Sequence, residues 1–162
     1  MKTILLLLSF PMLGILQAND TFAEDLISSH NSFRKHHSAS DLKWNVEMQK
    51  FAQKWADTIA KKDKMEHRPN NKYGENIYWT SGGKLDAKSA VKAWYDEIKY
   101  YNYKKPGFGM KTGHFTQVVW KGSSELGCGS AKSKKGGTYL VCNYNPPGNY
   151  EGEFKENVLQ KK

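Results

Sequence analysis

Apolar side chains recur at helical spacing in three stretches of this chain. Residues 45–63 show the clearest pattern, with apolar positions three or four apart and Asn45 in place to cap the first turn. Residues 86–101 repeat the pattern behind Asp86, another residue type that caps helices. Residues 22–37 carry an apolar stripe with more polar interruptions. The pattern therefore predicts three helices.

Short apolar runs between and after these stretches predict β-structure. Residues 75–79 predict a strand, which a Ser-Gly-Gly sequence ends at 81–83. Two further runs flank the Lys-Lys-Gly-Gly turn sequence at 134–137 and predict a hairpin near the end of the chain. Residues 102–113 contain glycines, an asparagine and a proline and predict a loop. Helices and strands together, with no internal repeat and no linker, predict one α+β domain.

The first 18 residues have the pattern of a secretory signal peptide. Lys2 supplies the positive end, and the apolar run after it is shorter than the roughly 20 residues that a membrane-spanning helix needs. Ala18 is a small residue suited to the cleavage point. We therefore expect a secreted, extracellular protein without a transmembrane segment, whose domain starts near Asn19. Asn19 also opens an N-glycosylation sequon, but its place beside the new terminus disfavours modification.

Basic residues outnumber acidic ones, and the formal net charge is +9 at pH 7. Such an excess can attract anionic membrane surfaces, cell walls or acidic glycans over long distances. A solvated surface rich in lysine explains the same composition, because the lysines are scattered along the chain. The sequence contains no recognised nucleic-acid-binding module, and we expect no nucleic-acid partner.

Cys128 and Cys142 are the two cysteines of the chain, and the midpoint between them, position 135, falls inside the turn sequence at 134–137. If the flanking runs pair around that turn, the two residues face each other on adjacent strands, close enough for a disulfide. An oxidising compartment favours that bond. The sequence has no Cys-x-x-Cys, so a redox or metal role is disfavoured.

Two segments carry the strongest functional signal. One is Gly-His-Phe-Thr-Gln-Val-Val-Trp at 113–120, and the other, at 140–150, ends in Pro-Pro-Gly-Asn-Tyr. Together they closely resemble the two signatures of the CAP superfamily, which comprises cysteine-rich secretory proteins, antigen 5 and plant pathogenesis-related proteins of group one. His-Asn-Ser-Phe-Arg at 30–34 matches a further family motif. The motifs follow the family's order and cover nearly all of the chain after the predicted signal peptide.

This resemblance implies a single-domain three-layer α-β-α sandwich of the CAP type, also called an SCP domain. The domain would occupy residues 19–155, with a polar tail at 156–162. The sequence lacks the extra disulfides of plant and insect-venom relatives and the cysteine-rich C-terminal module of venom and reproductive members. In this respect the chain is similar to the compact Golgi-associated plant pathogenesis-related type, with a signal peptide added.

The resemblance also assigns four residues to one open cleft: His67, Glu75, Glu97 and His114. In the family the two histidines bind a divalent metal, so His67 and His114 are candidate zinc ligands, with Glu75 and Glu97 orienting the imidazoles or a bound water. Each residue also has a simpler interpretation. His67 could be a solvated loop histidine, His114 a core histidine bonded to a carbonyl, and the glutamates surface carboxylates.

A metal-dependent hydrolase or protease is an alternative function for this cleft, with Glu75 or Glu97 as the general base. The sequence contains neither His-Glu-x-x-His nor Gly-x-Ser-x-Gly, and no nucleophile can be assigned. Function has to be argued from the site itself. We therefore expect a binding protein rather than an enzyme, and a protein-interaction module with a purely structural cleft is a further alternative.

A second candidate site is the loop at 100–108, where aromatic residues stand beside lysines. In relatives, the loop before the histidine signature resembles a sterol-binding segment, which makes Tyr101, Tyr103, Pro106 and Phe108 candidate lipid contacts. Aromatic faces can stack on a flat apolar ring system while lysines face water or headgroups. Alternatively, Tyr101 and Tyr103 only close the end of the third helix. We expect a secreted binding protein for a sterol, another lipid or a protein partner, with an optional metal.

Overall fold

The computed structural model describes residues 13–82 and 85–162, with side chains from Thr21 onward. Most of the predicted signal peptide, and the side chain of Asn19 in the sequon, therefore lie outside the described residues. Within the described ranges, no helix is both long enough and apolar enough to cross a membrane.

The chain combines helices with a four-stranded sheet, which confirms the predicted α+β class. The α-helices are α1 Leu13–Lys35, α2 Val46–Lys62, α3 Ala87–Tyr95, α4 Gly113–Val119 and α5 Phe154–Asn157. A 3₁₀ turn, Asp96–Tyr100, continues α3. The strands are β1 Lys43–Trp44, β2 Gly74–Ser81, β3 Glu125–Lys132 and β4 Gly137–Asn145.

The three predicted helices are confirmed as α1, α2 and α3, with differences at their ends. Asn45 caps α2 by accepting a hydrogen bond from the Met48 backbone nitrogen at 3.0 Å, and Asp86 caps α3 through the Ser89 nitrogen at 2.7 Å. The helix predicted over 86–101 changes to 3₁₀ geometry at Asp96. Sequence patterning did not predict α4 or β1.

The sheet has the strand order β1-β3-β4-β2, with β1 parallel to β3 and the other pairs antiparallel. β3 and β4 form the predicted hairpin. Cys128 and Cys142 are directly opposite in its register, with Cα atoms 4.1 Å apart, and form the predicted disulfide. This bond joins the two central strands of the sheet.

The sheet is covered on both faces, which confirms the three-layer sandwich. Alternate residues of β4 point to opposite sides: Leu140 and Cys142 pack in one buried cluster, and Tyr139 and Val141 in another. The first cluster includes residues of α1, α3 and α4, and the second includes residues of α2. A Cβ at Gly127 would overlap the backbone of α2, so glycine there lets the helix lie close to the sheet.

Arg34, the last residue of the His-Asn-Ser-Phe-Arg motif, holds α4 in place. Its guanidinium group is fully buried and donates to the carbonyl oxygens of Val118 at 3.0 Å and Trp120 at 2.8 Å. A third bond reaches the Ser123 carbonyl at 2.8 Å. The last carbonyls of an α-helix lack hydrogen-bond donors within the helix, and the Arg34 guanidinium provides such donors. The motif on α1 therefore fixes α4, the helix that carries His114.

The last residues of the chain pack against the end of α1. Val158 is buried, and the Leu159 carbonyl accepts a hydrogen bond from Nδ1 of His37 at 2.7 Å. The Lys162 nitrogen donates to the His36 carbonyl at 2.9 Å. The segment predicted as a polar tail at 156–162 is thus bonded to the body of the domain.

Candidate functional site

His67 and Glu75 form the first of two histidine–glutamate pairs. His67 lies in the loop between α2 and β2, and its Nδ1 is 2.9 Å from Oε1 of Glu75, the second residue of β2. The glutamate side chain is only 5 % exposed, whereas the histidine side chain is 68 % exposed. The hydrogen bond with Glu75 raises the pKa of His67, and partial burial opposes this effect.

Glu75 is held by more than its histidine. Its Oε1 also accepts the Arg68 backbone N–H at 3.0 Å, and its Oε2 accepts Nδ2 of Asn71 at 3.1 Å. The carboxylate thereby fixes the shape of the loop that carries His67. Both of its oxygens are engaged in these bonds.

His114 and Glu97 form the second pair. His114 is the second residue of α4, and its Nδ1 is 2.7 Å from Oε1 of Glu97. Oε2 of Glu97 accepts the backbone N–H groups of His114 and Phe115 at 3.0 and 3.2 Å. A carboxylate suits this end of a helix, where N–H groups are unpaired and the dipole is positive. Glu97 therefore orients the imidazole with one carboxylate oxygen and caps the first N–H groups of α4 with the other.

Both histidines line one open cleft with a volume of about 330 Å³. Its lining residues are His67, Arg68, Asn71, Tyr73, Glu75, Asn76, Phe108, Met110, Gly113, His114 and Asn149. Three of the four predicted cleft residues are in this set, and Glu97 lies behind His114. The lining contains no serine, threonine or cysteine, so within the described part of the chain it offers no hydroxyl or thiol nucleophile of those types.

The arrangement leaves Nε2 of each imidazole as the nitrogen available to a ligand, because Nδ1 is bonded to a glutamate. A carboxylate behind the ring is the usual support of a metal-binding histidine. Across the described residues, no group of three or more His, Cys, Asp or Glu side chains could hold a metal ion. The cleft therefore offers a metal ion at most two imidazole nitrogens, and not the four protein ligands of a closed structural site.

The second signature segment is bonded to the first. Thr116 donates to Oδ1 of Asn149 at 2.6 Å, and Nδ2 of Asn149 donates to the Gly113 carbonyl at 2.9 Å. The Gly148 N–H donates to Oε1 of Gln117 at 2.9 Å. The Pro-Pro-Gly-Asn-Tyr turn is thus fixed along α4, and it places Asn149 in the cleft wall.

A buried chain of hydrogen bonds connects α1 to the cleft. Nδ1 of His30 is 2.7 Å from the Leu26 carbonyl, to which it must donate, so Nε2 accepts from the Tyr144 hydroxyl at 2.8 Å. Nδ2 of Asn76 donates both to the Tyr144 oxygen at 3.2 Å and to the His114 carbonyl at 3.1 Å. Burial lowers the pKa of His30 to about 4, so the imidazole is neutral at pH 7.

The aromatic residues of the predicted lipid loop divide into two groups. Tyr101 and Tyr103 are partly buried against the core cluster that contains Phe115, and they contact each other edge to face. Burial raises the pKa of Tyr103 to about 12. Pro106 and Phe108 are exposed, and Phe108 lines the cleft. The loop also borders a second groove of about 470 Å³, which shares Phe108 and Met110 with the cleft.

Sequence reasoning did not single out several residues that complete the cleft. The sequence motifs could have indicated two of them, because Asn149 lies in the Pro-Pro-Gly-Asn-Tyr segment and Asn76 follows Glu75. No motif indicated Asn71 or Met110, because their roles depend on how two loops meet.

Comparison with known proteins gives a consistent result. The model of the family described as "CAP: Cysteine-rich secretory protein family" matches residues 27–144. The chain is 36 % identical over 150 residues to Golgi-associated plant pathogenesis-related protein 1 of Homo sapiens, covering 90 % of this chain and 97 % of that protein. It is 36 % identical over 153 residues to Secreted protein RBT4 of Candida albicans, covering 86 % of this chain and 41 % of that protein.

Solved structures include the same fold. The crystal structure of Na-ASP-1 superposes with a TM-score of 0.70 at 26 % sequence identity, over 88 % of this chain and 42 % of that chain.

Proposed function

Because the chain belongs to the cysteine-rich secretory protein (CAP) family, we propose that it is a secreted binding protein that takes a sterol or similar lipid at the loop 100–112. The observation that chiefly supports this function is the exposure of large apolar side chains there. Tyr100, Phe108 and Met110 are 58 %, 54 % and 88 % exposed. Large apolar side chains that are exposed together are typical of interaction sites.

The surroundings of these side chains suit an amphipathic ligand. Lys99 and Lys111 lie 5.0 and 6.0 Å from the centre of the Tyr100 ring, so charge and apolar surface stand side by side. The apolar groups can contact a flat hydrocarbon ring system, and the lysines can bind headgroup oxygens or an anionic membrane surface. Tyr101 and Tyr103 support the loop from inside.

Secretion has support from three observations. The disulfide between Cys128 and Cys142 favours an oxidising compartment. A relative at 36 % identity is named as a secreted protein. Residues 1–18 have the sequence pattern of a signal peptide.

A divalent metal such as zinc would be held by Nε2 of His67 and His114. It would supply a positive centre that polarises a carbonyl or anionic group of a ligand. Glu75 and Glu97 would keep the two imidazoles oriented. Because both glutamates are already engaged in several hydrogen bonds, the geometry favours this supporting role over that of a general base.

The lipid proposal is tested with Met110→Ser, alone and together with Phe108→Ser. Removing apolar contact area at the loop should weaken retention of labelled cholesterol by about tenfold in the double variant. Met65→Ser is the matched control, since Met65 is 59 % exposed in a different loop. Cholesterol binding that is unchanged in the double variant, or absent from the unaltered protein, would refute the loop as the lipid site.

A further inference from the structure

A third concave surface lies beside the cleft, between α2 and the loop that carries His67. This basic groove has a volume of about 390 Å³ and is lined by Glu47, Lys50, Phe51, Lys54, Arg68, Lys72 and Tyr73. Lys50 and Lys54 occupy successive turns of α2, so their side chains lie on the same face of the helix. Arg68 and Tyr73 also line the cleft, and the two depressions are therefore continuous.

Two of the cations are fixed in place by aromatic rings. The Arg68 guanidinium lies 3.6 Å from the centre of the Phe51 ring, and its Nη1 donates to the Phe51 carbonyl at 2.9 Å. Lys72 Nζ lies 4.9 Å from the centre of the Tyr73 ring. The rings themselves meet edge to face at 5.1 Å. The remaining donors of Arg68 are thus held in one orientation at little entropic cost.

The positive charge of this groove is largely uncompensated. Within the described part of the chain, no carboxylate lies within ion-pair distance of Lys54, Arg68 or Lys72. Lys50 is 2.8 Å from Glu47, the one acidic residue among those that line the groove. The hydrogen bond from Lys50, with a contribution from the charge of Lys54, lowers the pKa of Glu47.

We propose that this groove binds a sulfated polysaccharide, with sulfate groups contacting Lys54, Arg68 and Lys72. Planar donors of a guanidinium match the oxygens of such groups, and lysines add point charges along the chain. A polymer fits better than a single anion because the cations are spread over two turns of α2 and the facing loop. Such polymers occur outside cells, where we propose that this protein acts.

Two other polyanions fit the groove less well. A membrane would require apolar side chains that project from the surface, whereas Phe51 and Tyr73 are half-buried and covered by Arg68 and Lys72. A single-stranded nucleic acid would require open aromatic faces for stacking, and Arg68 already occupies a face of Phe51.

The test measures binding of a heparin-derived decasaccharide to the purified protein by calorimetry at several salt concentrations. Lys54→Gln with Lys72→Gln should weaken binding by about tenfold and reduce the salt dependence of the affinity. The matched control, Lys121→Gln with Lys134→Gln, removes the same charge from exposed positions elsewhere and should change affinity by less than about twofold. Glu47→Gln should strengthen binding, because it removes the competing carboxylate and frees Lys50.

Three outcomes would overturn the proposal. One is the absence of binding by the decasaccharide. Another is an equal loss in the two double variants, which would assign the attraction to net charge alone. In the third, the protein binds phosphatidylserine vesicles and not the decasaccharide, and the Lys54 and Lys72 substitutions abolish the vesicle binding. Cholesterol retention measured on the same variants keeps this result separate from that of the lipid loop.

Discussion

The two cleft histidines share one chemical arrangement despite different surroundings. Each bonds a glutamate through Nδ1, at 2.9 Å for His67 and 2.7 Å for His114. His67 is 68 % exposed at the side chain and His114 33 %. Since the glutamates decide which nitrogen remains for a ligand, they determine the direction from which a ligand can approach.

The metal proposal predicts that His67→Ala with His114→Ala abolishes zinc binding in calorimetry. Glu75→Gln should retain binding but weaken it by roughly tenfold, because the imidazole loses its charged support. His36→Ala is the control, since His36 is exposed outside the cleft. Zinc affinity that survives the double substitution would exclude these two histidines as the ligands.

These four residues were predicted by the resemblance to a family, and not by any physical pattern in the sequence. Glu97 illustrates the limit. Its place in the 86–101 stretch indicates only a helical residue, whereas its carboxylate bonds two backbone groups of α4, 17 and 18 residues further along the chain. A contact over that distance depends on packing, which local patterning does not contain.

Among the elements, α4 depends most on its surroundings. It is seven residues long, and several of its residues, including Thr116, Val118 and Val119, are β-branched and favour strands in isolation. Glu97 accepts hydrogen bonds from N–H groups in its first turn, and Arg34 donates to carbonyls at its end. Because both partners come from other elements, the sequence of the segment alone indicated an apolar run and no helix.

Loss of the Arg34 guanidinium should therefore destabilise the domain through α4. Arg34→Met leaves the buried carbonyls of Val118, Trp120 and Ser123 without this donor, at a cost of about 3 kcal/mol or more. The melting temperature should fall by roughly 10 °C.

Arg34→Lys keeps the positive charge but loses the planar set of guanidinium donors. Its melting temperature should lie between those of the wild type and Arg34→Met. Lys35→Met, at the neighbouring exposed position, is the control and should melt close to the wild type. Equal melting temperatures for Arg34→Met and Lys35→Met would contradict the role assigned to Arg34.

At the scale of the whole molecule, two buried histidines connect segments that are far apart in sequence. His30 joins α1 to β4 through Tyr144. His37, in the turn after α1, bonds Tyr95 of α3 and the Leu159 carbonyl near the chain end. Burial lowers the pKa of both imidazoles. Both imidazoles serve as neutral hydrogen-bonding groups in the folded protein. Because burial disfavours the charged form, protonation of these histidines destabilises the folded state.

Stability should consequently fall on mild acidification. The pKa of His30 is about 4 in the folded state, against 6.5 for an unperturbed histidine, so the unfolded chain binds more protons between these two pH values. The contribution of neutral His30 to the free energy of unfolding is complete above pH 6.5. It is lost as the pH falls toward 4, which lowers the free energy of unfolding by about 3 kcal/mol.

Urea unfolding at pH 7 and near pH 4.5 measures this loss. His30→Phe should show a smaller change between the two conditions, whatever its stability at pH 7. His36→Phe, at an exposed position, should keep the full change. A wild-type protein equally stable at both pH values would rule out a buried neutral His30.

The sequence by itself determined the α+β class, the three long helices with the caps at Asn45 and Asp86, and the hairpin with its Cys128–Cys142 bond. These features follow from local periodicity, capping and the symmetry of residues about a turn, all of which act over short distances along the chain. Its motifs also predicted the family, which the match over residues 27–144 confirms.

Only the tertiary structure decided how the cleft is built. It bonded the Pro-Pro-Gly-Asn-Tyr turn to α4 through Asn149, and it turned Tyr101 and Tyr103 toward the core while leaving Phe108 and Met110 outside. These outcomes depend on which buried polar groups find partners and which apolar faces find neighbours across the whole domain. Such pairings join residues far apart in sequence, so they become definite only when the layers pack.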